Sequence, residues 1–361
     1  MNPVIPAPVP IPLPAPPWLI QLLQVFTFIF HLVFMNLLVG GTIILAVSSY
    51  RGRSDARHRD LARRAVRALP PVVAFTITLG VAPLLFLQLL YGQLFYTSSV
   101  LMAWSWLAVI LLLMLAYYGI YWFNLQQEEL GPRSFWVMLV AALLLLHVMK
   151  TFTQNMTFLE RPQEFYLRFL AAPVGNYLGP HDPFVFARLS HFFFAALSIA
   201  GLGLAVLAYT WRAESPDFAA WARRYGLKWF QAATGIQVLS GLWFLFSQPE
   251  PIRLAFLGRD RLSTGLLVVA VALAVLALLA ARKSLAAATV AIAGTIALMA
   301  VIRHLVRLEH LRPYFDAHAL PIQGQWTVFG IFAVLLVAGL ATVGWMLYQF
   351  FRPAASSAAT G

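Results

Sequence analysis

Four histidines lie inside apolar segments that are long enough to cross a membrane as helices. They are His31, His147, His191 and His304. An imidazole in lipid is costly and is usually kept for a function. With the amino terminus outside, all four fall in the outer half of the membrane or at its outer rim. Because histidine is a common axial ligand of haem iron, this placement predicts a haem site.

The fourth apolar segment carries a polar stripe around one of these histidines. His147, Lys150, Thr151 and Gln154 follow the spacing of a single helix face, which we expect to point into the bundle. A lysine beside a histidine is expensive to bury for packing alone. The stripe therefore indicates a haem, quinone or proton site, with hydrogen bonding between helices as the alternative.

The fifth segment places an arginine one turn from a histidine. Arg188 and His191 come first, and small residues follow at Ala195, Ala196, Ser198, Gly201 and Gly203. These small residues are expected to leave room for a flat macrocycle, and Arg188 to pair with a haem propionate. The alternative is close packing of helices through the small residues.

The eighth segment ends in further basic residues. Arg303 and Arg307 lie one turn apart, so they share a face and are candidates for pairing with propionates. His304 lies next to them and is a candidate ligand, or else an interfacial residue in contact with water. Carboxylates are almost absent from the apolar segments, which argues against a carboxylate proton relay within the membrane.

Composition restricts the class of protein. The chain has 361 residues, of which 61% are hydrophobic and 11% charged, and its mean hydropathy is +0.79. It is therefore expected to be an integral membrane protein. The absence of cysteine excludes disulfides, iron–sulfur clusters and covalent c-type haem attachment. The net charge of +12 follows the positive-inside rule and does not indicate nucleic-acid binding.

Hydropathy predicts an all-α membrane bundle of about nine transmembrane helices. The predicted spans are 18–49, 70–96, 99–124, 134–155, 187–211, 229–248, 263–281, 284–304 and 325–350. Seven arginines between residues 51 and 67 mark the side after the first span as cytoplasmic, which places the amino terminus outside and the carboxyl terminus inside.

The spans divide the chain into three parts. Residues 1–17 are proline-rich and are expected to form an extended extracytoplasmic tail. Residues 18–350 form the transmembrane bundle, and residues 351–361 form a cytoplasmic tail. The outer connections 156–186 and 305–324 are long, polar and aromatic, as expected of surfaces that cover a site or dock a partner.

Short motifs in three of the spans resemble those of a known family. They are Phe30-His31 with Phe34 and Gly40, Gly80-Val81 with Gln88 and Tyr91-Gly92, and Arg188-Leu-Ser-His191 running to Ala208-Tyr209. On these residues the chain resembles the haem-bearing subunit I of cytochrome bd-type oxidases and its divergent relatives. The resemblance implies that His31 binds a high-spin haem and that His191 binds a low-spin haem b.

The chain departs from this family at three points. The family's glutamate in the second helix is missing from Leu84-Leu85-Phe86-Leu87-Gln88, and only Pro249 to Arg261 stand where the family has a large quinol-binding loop. The family's methionine ligand also has no counterpart in Leu262-Ser-Thr-Gly-Leu266. A quinol site at that loop is therefore not expected. The second ligand of a haem on His191 is unidentified, with His147 and His304 as candidates.

These observations predict a b-type haem electron-transfer subunit of a respiratory complex in a bacterial inner membrane. We expect two or more haems, one of them a variant high-spin haem, with oxygen reduction at His31 left open. The expected donor is a c-type cytochrome on the outer face, steered by Arg161, Arg168, Arg253, Arg259, Arg261 and Arg312. Other membrane subunits are expected as partners. The alternatives are a membrane anchor for multihaem cytochromes and a transporter that uses the stripe of His147 and Lys150.

Overall fold

The computed structural model describes residues 12–177 and 182–351, which are mainly helical. The α-helices in chain order are α1 (Pro17–Arg51), α2 (Ala56–Ala65), α3 (Leu69–Leu101), α4 (Ala103–Leu125), α5 (Gln127–Leu130), α6 (Ser134–Leu159), α7 (Phe165–Ala171), α8 (Pro183–Leu207), α9 (Pro216–Phe246), α10 (Glu250–Leu254), α11 (Arg261–Ala280), α12 (Leu285–Leu311) and α13 (Trp326–Phe351). The mainly helical structure of the described residues confirms the prediction of an all-α bundle.

Each predicted span falls on one long helix of the described chain. Eight of these helices are long and apolar enough to cross a membrane, and α9 is the long helix that does not meet this test. The predicted span 229–248 falls on the second half of α9 up to Phe246, but the helix begins earlier, at Pro216. Its first half carries Arg223, Arg224 and Lys228, so α9 extends past the apolar layer into a polar environment.

The bundle has two chemically different ends. The arginine-rich end holds α2 and the turn between α8 and α9, while the loop end holds α7 and residues 312–325. α2 packs its apolar face inward through Leu61 and Ala65, whereas Arg59 and Arg63 are exposed. Assignment of the arginine-rich end to the cytoplasm stays a prediction.

Polar caps set the starts of the helices that form the site. The carboxylate of Asp182 accepts a hydrogen bond from the N–H of Phe184, and Pro183 occupies the first turn of α8. Asp260 caps α11 in the same way, and its hydrogen bonds with Ser263 hold the pKa of its carboxyl below the usual value. Ser284 caps α12 through the N–H of Ala287.

α8 lies at the centre of the bundle, between α1 and α9. A Cβ atom at Gly201 would lie 2.6 Å from the backbone nitrogen of Phe230, and one at Gly40 would lie 2.1 Å from the carbonyl oxygen of Ala196. These glycines let the helix backbones approach closely, which is a usual device in membrane bundles. The side chains of Ser198 and Thr234 are hydrogen bonded across the same contact at 2.6 Å.

The amino-terminal segment is tied to the chain just before the last helix. Leu13 and Ile322 form a parallel β-bridge, with the N–H of Leu13 donating to the carbonyl of Pro321 at 2.7 Å. Residues 12–16 thus run extended along 321–325, as expected for this part of the tail. Residues 1–11 of that tail, 178–181 of the outer connection and 352–361 of the other tail lie outside the described residues.

Candidate functional site

A cavity of about 300 Å³ opens between six helices towards the loop end of the bundle. Its walls come from α1, α3, α4, α6, α8 and α12. Most of the lining is aliphatic or aromatic. The polar and charged residues that line it are Gln24, His31, Thr76, Thr153, Arg188, Arg303, His304 and Arg307. An apolar pocket with a few convergent polar groups is the usual form of a cofactor site.

His31 is held in one orientation by the neighbouring helix α3. Its Nδ1 lies 3.0 Å from the carbonyl oxygen of Thr76. Since a carbonyl can only accept, Nδ1 carries the proton and Nε2 keeps its lone pair. A Cβ atom at Gly80, one turn after Thr76, would lie 2.8 Å from Cε1 of the imidazole. The glycine therefore provides the space in which the ring lies.

His191 is held in the same way by α9. Its Nδ1 lies 3.3 Å from the carbonyl oxygen of Gln237, and a Cβ atom at Gly241 would lie 3.1 Å from the ring. Its Nε2 is again the ring nitrogen with the free lone pair. This side of α8 is separate from the cavity lining. The two histidines thus belong to two separate sites, each with a ring that a backbone carbonyl orients.

Three arginines and one glutamate form a cluster at the cavity wall, in which Arg188, Arg307 and Glu160 are buried and Arg303 is half-buried. Arg188 donates to the carboxylate of Glu160 at 2.7 Å and to the hydroxyl of Thr157 at 3.0 Å. Arg307 forms a longer ion pair with Glu160 at 3.6 Å, and Arg303 lies over the ring of Phe28 at 4.5 Å. Three positive charges and one negative charge leave this cluster with a net charge of +2.

Several polar atoms around the cavity have no hydrogen-bond partner within the described residues. They include Nε and Nη2 of Arg307, Nδ1 of His304 and Oε1 of Gln24. Buried polar groups are normally satisfied, and unsatisfied ones call for a partner. Together with the excess positive charge, the free N–H groups of Arg307 indicate an anionic partner in the cavity.

The structure brings together most of the residues predicted to form the site. His31, His304, Arg188, Arg303 and Arg307 line one cavity, and His191 lies apart from it. The expected interior position of the polar stripe on α6 is wrong for His147 but holds for Thr151 and Gln154. The side chain of His147 is exposed on the outer surface of the bundle and Lys150 is half-buried, while Thr151 and Gln154 are buried. Neither His147 nor Lys150 lines the cavity.

The stripe divides in this way because burial changes along α6 as well as around it. Residues 153–160 are all buried, since α7 and the connecting chain surround this end of the helix. Nearer the middle of α6, only one side of the helix is covered. Residues on one helix face therefore pass from an exposed to a buried environment within two turns. The transporter alternative loses its expected interior path as a result.

The small residues of α8 do not surround an open space. A Cβ at Gly201 would collide with α9, a Cβ at Gly203 would lie 2.5 Å from Cδ2 of Leu37, and Ala195 and Ala196 are buried. The expected room for a macrocycle along this stretch is therefore absent. The small residues serve close helix packing, which was the alternative interpretation.

Two of the outer arginines are not free to meet a partner. Arg161 pairs with Asp182 at 2.9 Å, and Arg168, which is 5% exposed, pairs with Glu164. Both fix the connection between α6 and α8. Their charges are therefore balanced within the chain, while Arg259, Arg261 and Arg312 are exposed. Steering of a partner by these arginines stays a prediction.

Sequence reasoning missed the residues that orient the histidines and balance the arginines. Thr76 and Gln237 act through backbone carbonyls, which leave no side-chain pattern. Gly80 and Gly241 each follow such a carbonyl by four residues, and this spacing is the signal that was available. Glu160 falls within the predicted outer connection 156–186, yet it is 1% exposed at the end of α6.

Comparison with known proteins gives a likeness of fold. No family model and no curated protein matches the chain. Among solved structures, it is similar to a bd oxidase from Geobacillus thermodenitrificans, with a TM-score of 0.61 and 15% sequence identity. The alignment covers 94% of this chain and 100% of that chain. The protein therefore has a bd-oxidase-like fold.

Proposed function

We propose that this chain is a haem-carrying electron-transfer subunit of a respiratory complex in a bacterial inner membrane. The observation that carries the proposal is the cavity in which His31 faces a buried excess of guanidinium groups. The bd-oxidase-like fold is consistent with it. Haem iron would supply one-electron chemistry and, where a coordination position is open, a place for oxygen.

The residues of the cavity fit a b-type haem. Nε2 of His31 is available as an iron ligand, and the polar atoms of Arg303 and Arg307 would hold the two propionates. Two carboxylates match the net charge of +2 on the cluster. His304 lines the same cavity and is the candidate for a second contact to this haem. Any oxygen chemistry would belong to this site, because the family resemblance places the high-spin haem on His31.

His191 supports the proposal of a second haem. Hydrogen bonding of Nδ1 to a carbonyl fixes the tautomer and raises the basicity of Nε2, as is usual for histidine ligands of metals. Because His304 lies in the cavity of His31, it is assigned there and not to His191. The second ligand at His191 stays unassigned. An anchor without cofactors would not require two oriented imidazoles.

Haem content of histidine variants tests the function. Purified wild-type protein should show a reduced-minus-oxidised spectrum of b-type haem. His31→Ala and His191→Ala should each lose part of the haem measured as the pyridine haemochrome, because each removes an iron ligand. His318→Ala is the matched control, since His318 is exposed outside the bundle. Wild-type haem content in both ligand variants would refute the proposal.

The electron donor is proposed to be a c-type cytochrome that docks at the loop end. The segment between α9 and α11 is folded into α10 and a short π-helical turn, with Gly258 at a φ of +118°. It is too short to form an enclosed quinol pocket of its own. The side chains of Arg259, Arg261 and Arg312 are exposed at this end, next to the exposed acidic residues Glu250, Asp260 and Asp316. An acidic partner would pair with these arginines.

A further inference from the structure

The outer surface of α6 carries a stripe of exposed residues that ends in two basic groups. Trp136, Val140 and Leu143 are 59%, 53% and 55% exposed, and they are followed by exposed His147 and half-buried Lys150. The five positions are separated alternately by four and three residues. This is the spacing at which one helix contacts another along a seam.

The two basic residues lie deep in the apolar part of the helix. α6 has 26 residues, and His147 is the fourteenth of them, so it lies close to the middle of the span. Neither side chain has an ion-pair or hydrogen-bond partner in the described part of the chain. Lipid tails offer no such partner either, and a polar group at this depth is costly.

Lys150 has no direct route to water along its own helix. A lysine near the end of a span usually extends its ammonium group to the interface. Here residues 153–160, which lie between Lys150 and the loop end, are all buried against other parts of the protein. His147 is too short and too central to reach either interface. The pair therefore requires a partner within the membrane.

We propose that this stripe, residues 136, 140, 143, 147 and 150, is the docking surface for a transmembrane helix of a different polypeptide. That helix carries an aspartate or glutamate near its centre, opposite His147 and Lys150. The three apolar positions pack against it, and the carboxylate forms the hydrogen bonds and ion pair that the stripe lacks. The proposal does not depend on haem binding.

A second copy of this chain does not fit the surface. Symmetric pairing would place His147 and Lys150 against the same basic residues. The chain has 13 acidic residues, and those inside its long described helices are Asp217 and Glu309. Each lies within three residues of a helix end, so this chain has no central carboxylate to offer. Charge complementarity therefore selects another polypeptide.

A synthetic peptide can test the surface with full-length protein in lipid nanodiscs. The probe is a labelled polyleucine transmembrane peptide with one central aspartate, and association is measured by energy transfer to labelled protein. Wild-type protein should bind this peptide about three- to tenfold more tightly than an all-leucine peptide, the range expected of one polar contact between helices. Lys150→Leu and His147→Leu should each reduce that preference.

Two further variants make the test decisive. Tyr118→Leu removes a polar group from α4 that is 63% exposed, and it should leave binding unchanged. Lys150→Asp should reject the aspartate peptide and bind one with a central lysine, which a misfolded variant would not do. Equal binding of the aspartate and leucine peptides to wild type would overturn the proposal. Dimers that form without peptide and depend on Lys150 would also overturn it, in favour of a second copy.

Discussion

At the scale of single residues, the two proposed iron ligands share one arrangement. In each case, the carbonyl of a residue on the adjacent helix accepts from Nδ1, and a glycine four residues later provides space for the ring. The carbonyl selects the tautomer, and the glycine sets how closely the ring approaches the helix. Both contacts come from the protein's own backbone, so they would orient the two rings as iron ligands.

Gly80→Ala should weaken haem binding at His31 without removing the ligand. The added Cβ would lie 2.8 Å from Cε1 and 2.9 Å from Nδ1, so the ring must move away from the carbonyl of Thr76. Loss of such an orienting contact typically costs 10- to 100-fold in metal affinity, and we expect about tenfold here. Haem titration of the apoprotein measures it. Gly330→Ala is the control, because nothing lies within 4 Å of its added Cβ. Equal affinities would contradict the assigned role.

Glu160→Gln should strongly destabilise the fold. The change leaves Arg188 and Arg307 buried without a counter-charge, and breaking a buried pair costs roughly 3–5 kcal/mol. Denaturant unfolding in detergent measures the free energy of unfolding. Glu309→Gln removes a partner from an exposed pair with Arg312 and should cost at most about 1 kcal/mol. A similar effect of both changes would show that Glu160 does not balance the cluster.

At the scale of helices, hydropathy predicted where the spans lie but not which side of each span is covered. All nine predicted spans correspond to long helices because about 20 apolar residues are a sufficient signal. The face of α6 could not be predicted in this way. Helical periodicity shows that His147 and Thr151 share a face, but the neighbouring elements that bury one and leave the other exposed come from distant parts of the chain.

Gly201→Val should separate α8 from α9. The new side chain would meet the backbone nitrogen of Phe230 at 2.6 Å, and a backbone atom in a helix cannot give way easily. We expect a loss of about 1–3 kcal/mol in the free energy of unfolding, and a larger loss of haem from His191 than from His31. Thermal unfolding and haem content measure these effects. Gly339→Val, with open space around it, should change neither.

At the scale of the whole molecule, the site depends on which helices become neighbours. The sequence predicted His31, Arg188, Arg303, His304 and Arg307 as candidate site residues. Hydropathy does not show, however, which helices pack next to one another around the cavity. It also could not pair Glu160 with Arg188, because the two residues are 28 positions apart on different elements. Candidate residue types were therefore predictable. The resemblance also separated His31 from His191, but it did not place Arg188 and His304 in the cavity of His31.

The charge at the loop end gives a prediction for electron transfer. Replacing Arg259 and Arg261 together by alanine should slow haem reduction by an acidic c-type cytochrome several-fold at low salt. The difference should fade as ionic strength rises, because exposed charges are screened over about 8 Å at physiological salt. Stopped-flow absorbance measures the rate. The same replacement at Arg282 and Lys283, which are exposed at the opposite end, should have no effect. Rapid reduction by quinol alone would contradict the proposed donor.

The cavity is lined by both α1 and α12, which are far apart along the chain, and this has a consequence for biosynthesis. His31 and Arg303 are separated by 303 − 31 = 272 residues, yet they line the same space. A ribosome that adds about 5–20 residues per second needs roughly 14–54 seconds to bridge that interval. During this time α1 has been synthesised, but α12, which carries Arg303 and Arg307, has not. The cavity is complete only after α12 has been made, so any group that needs both walls must be loaded after that point.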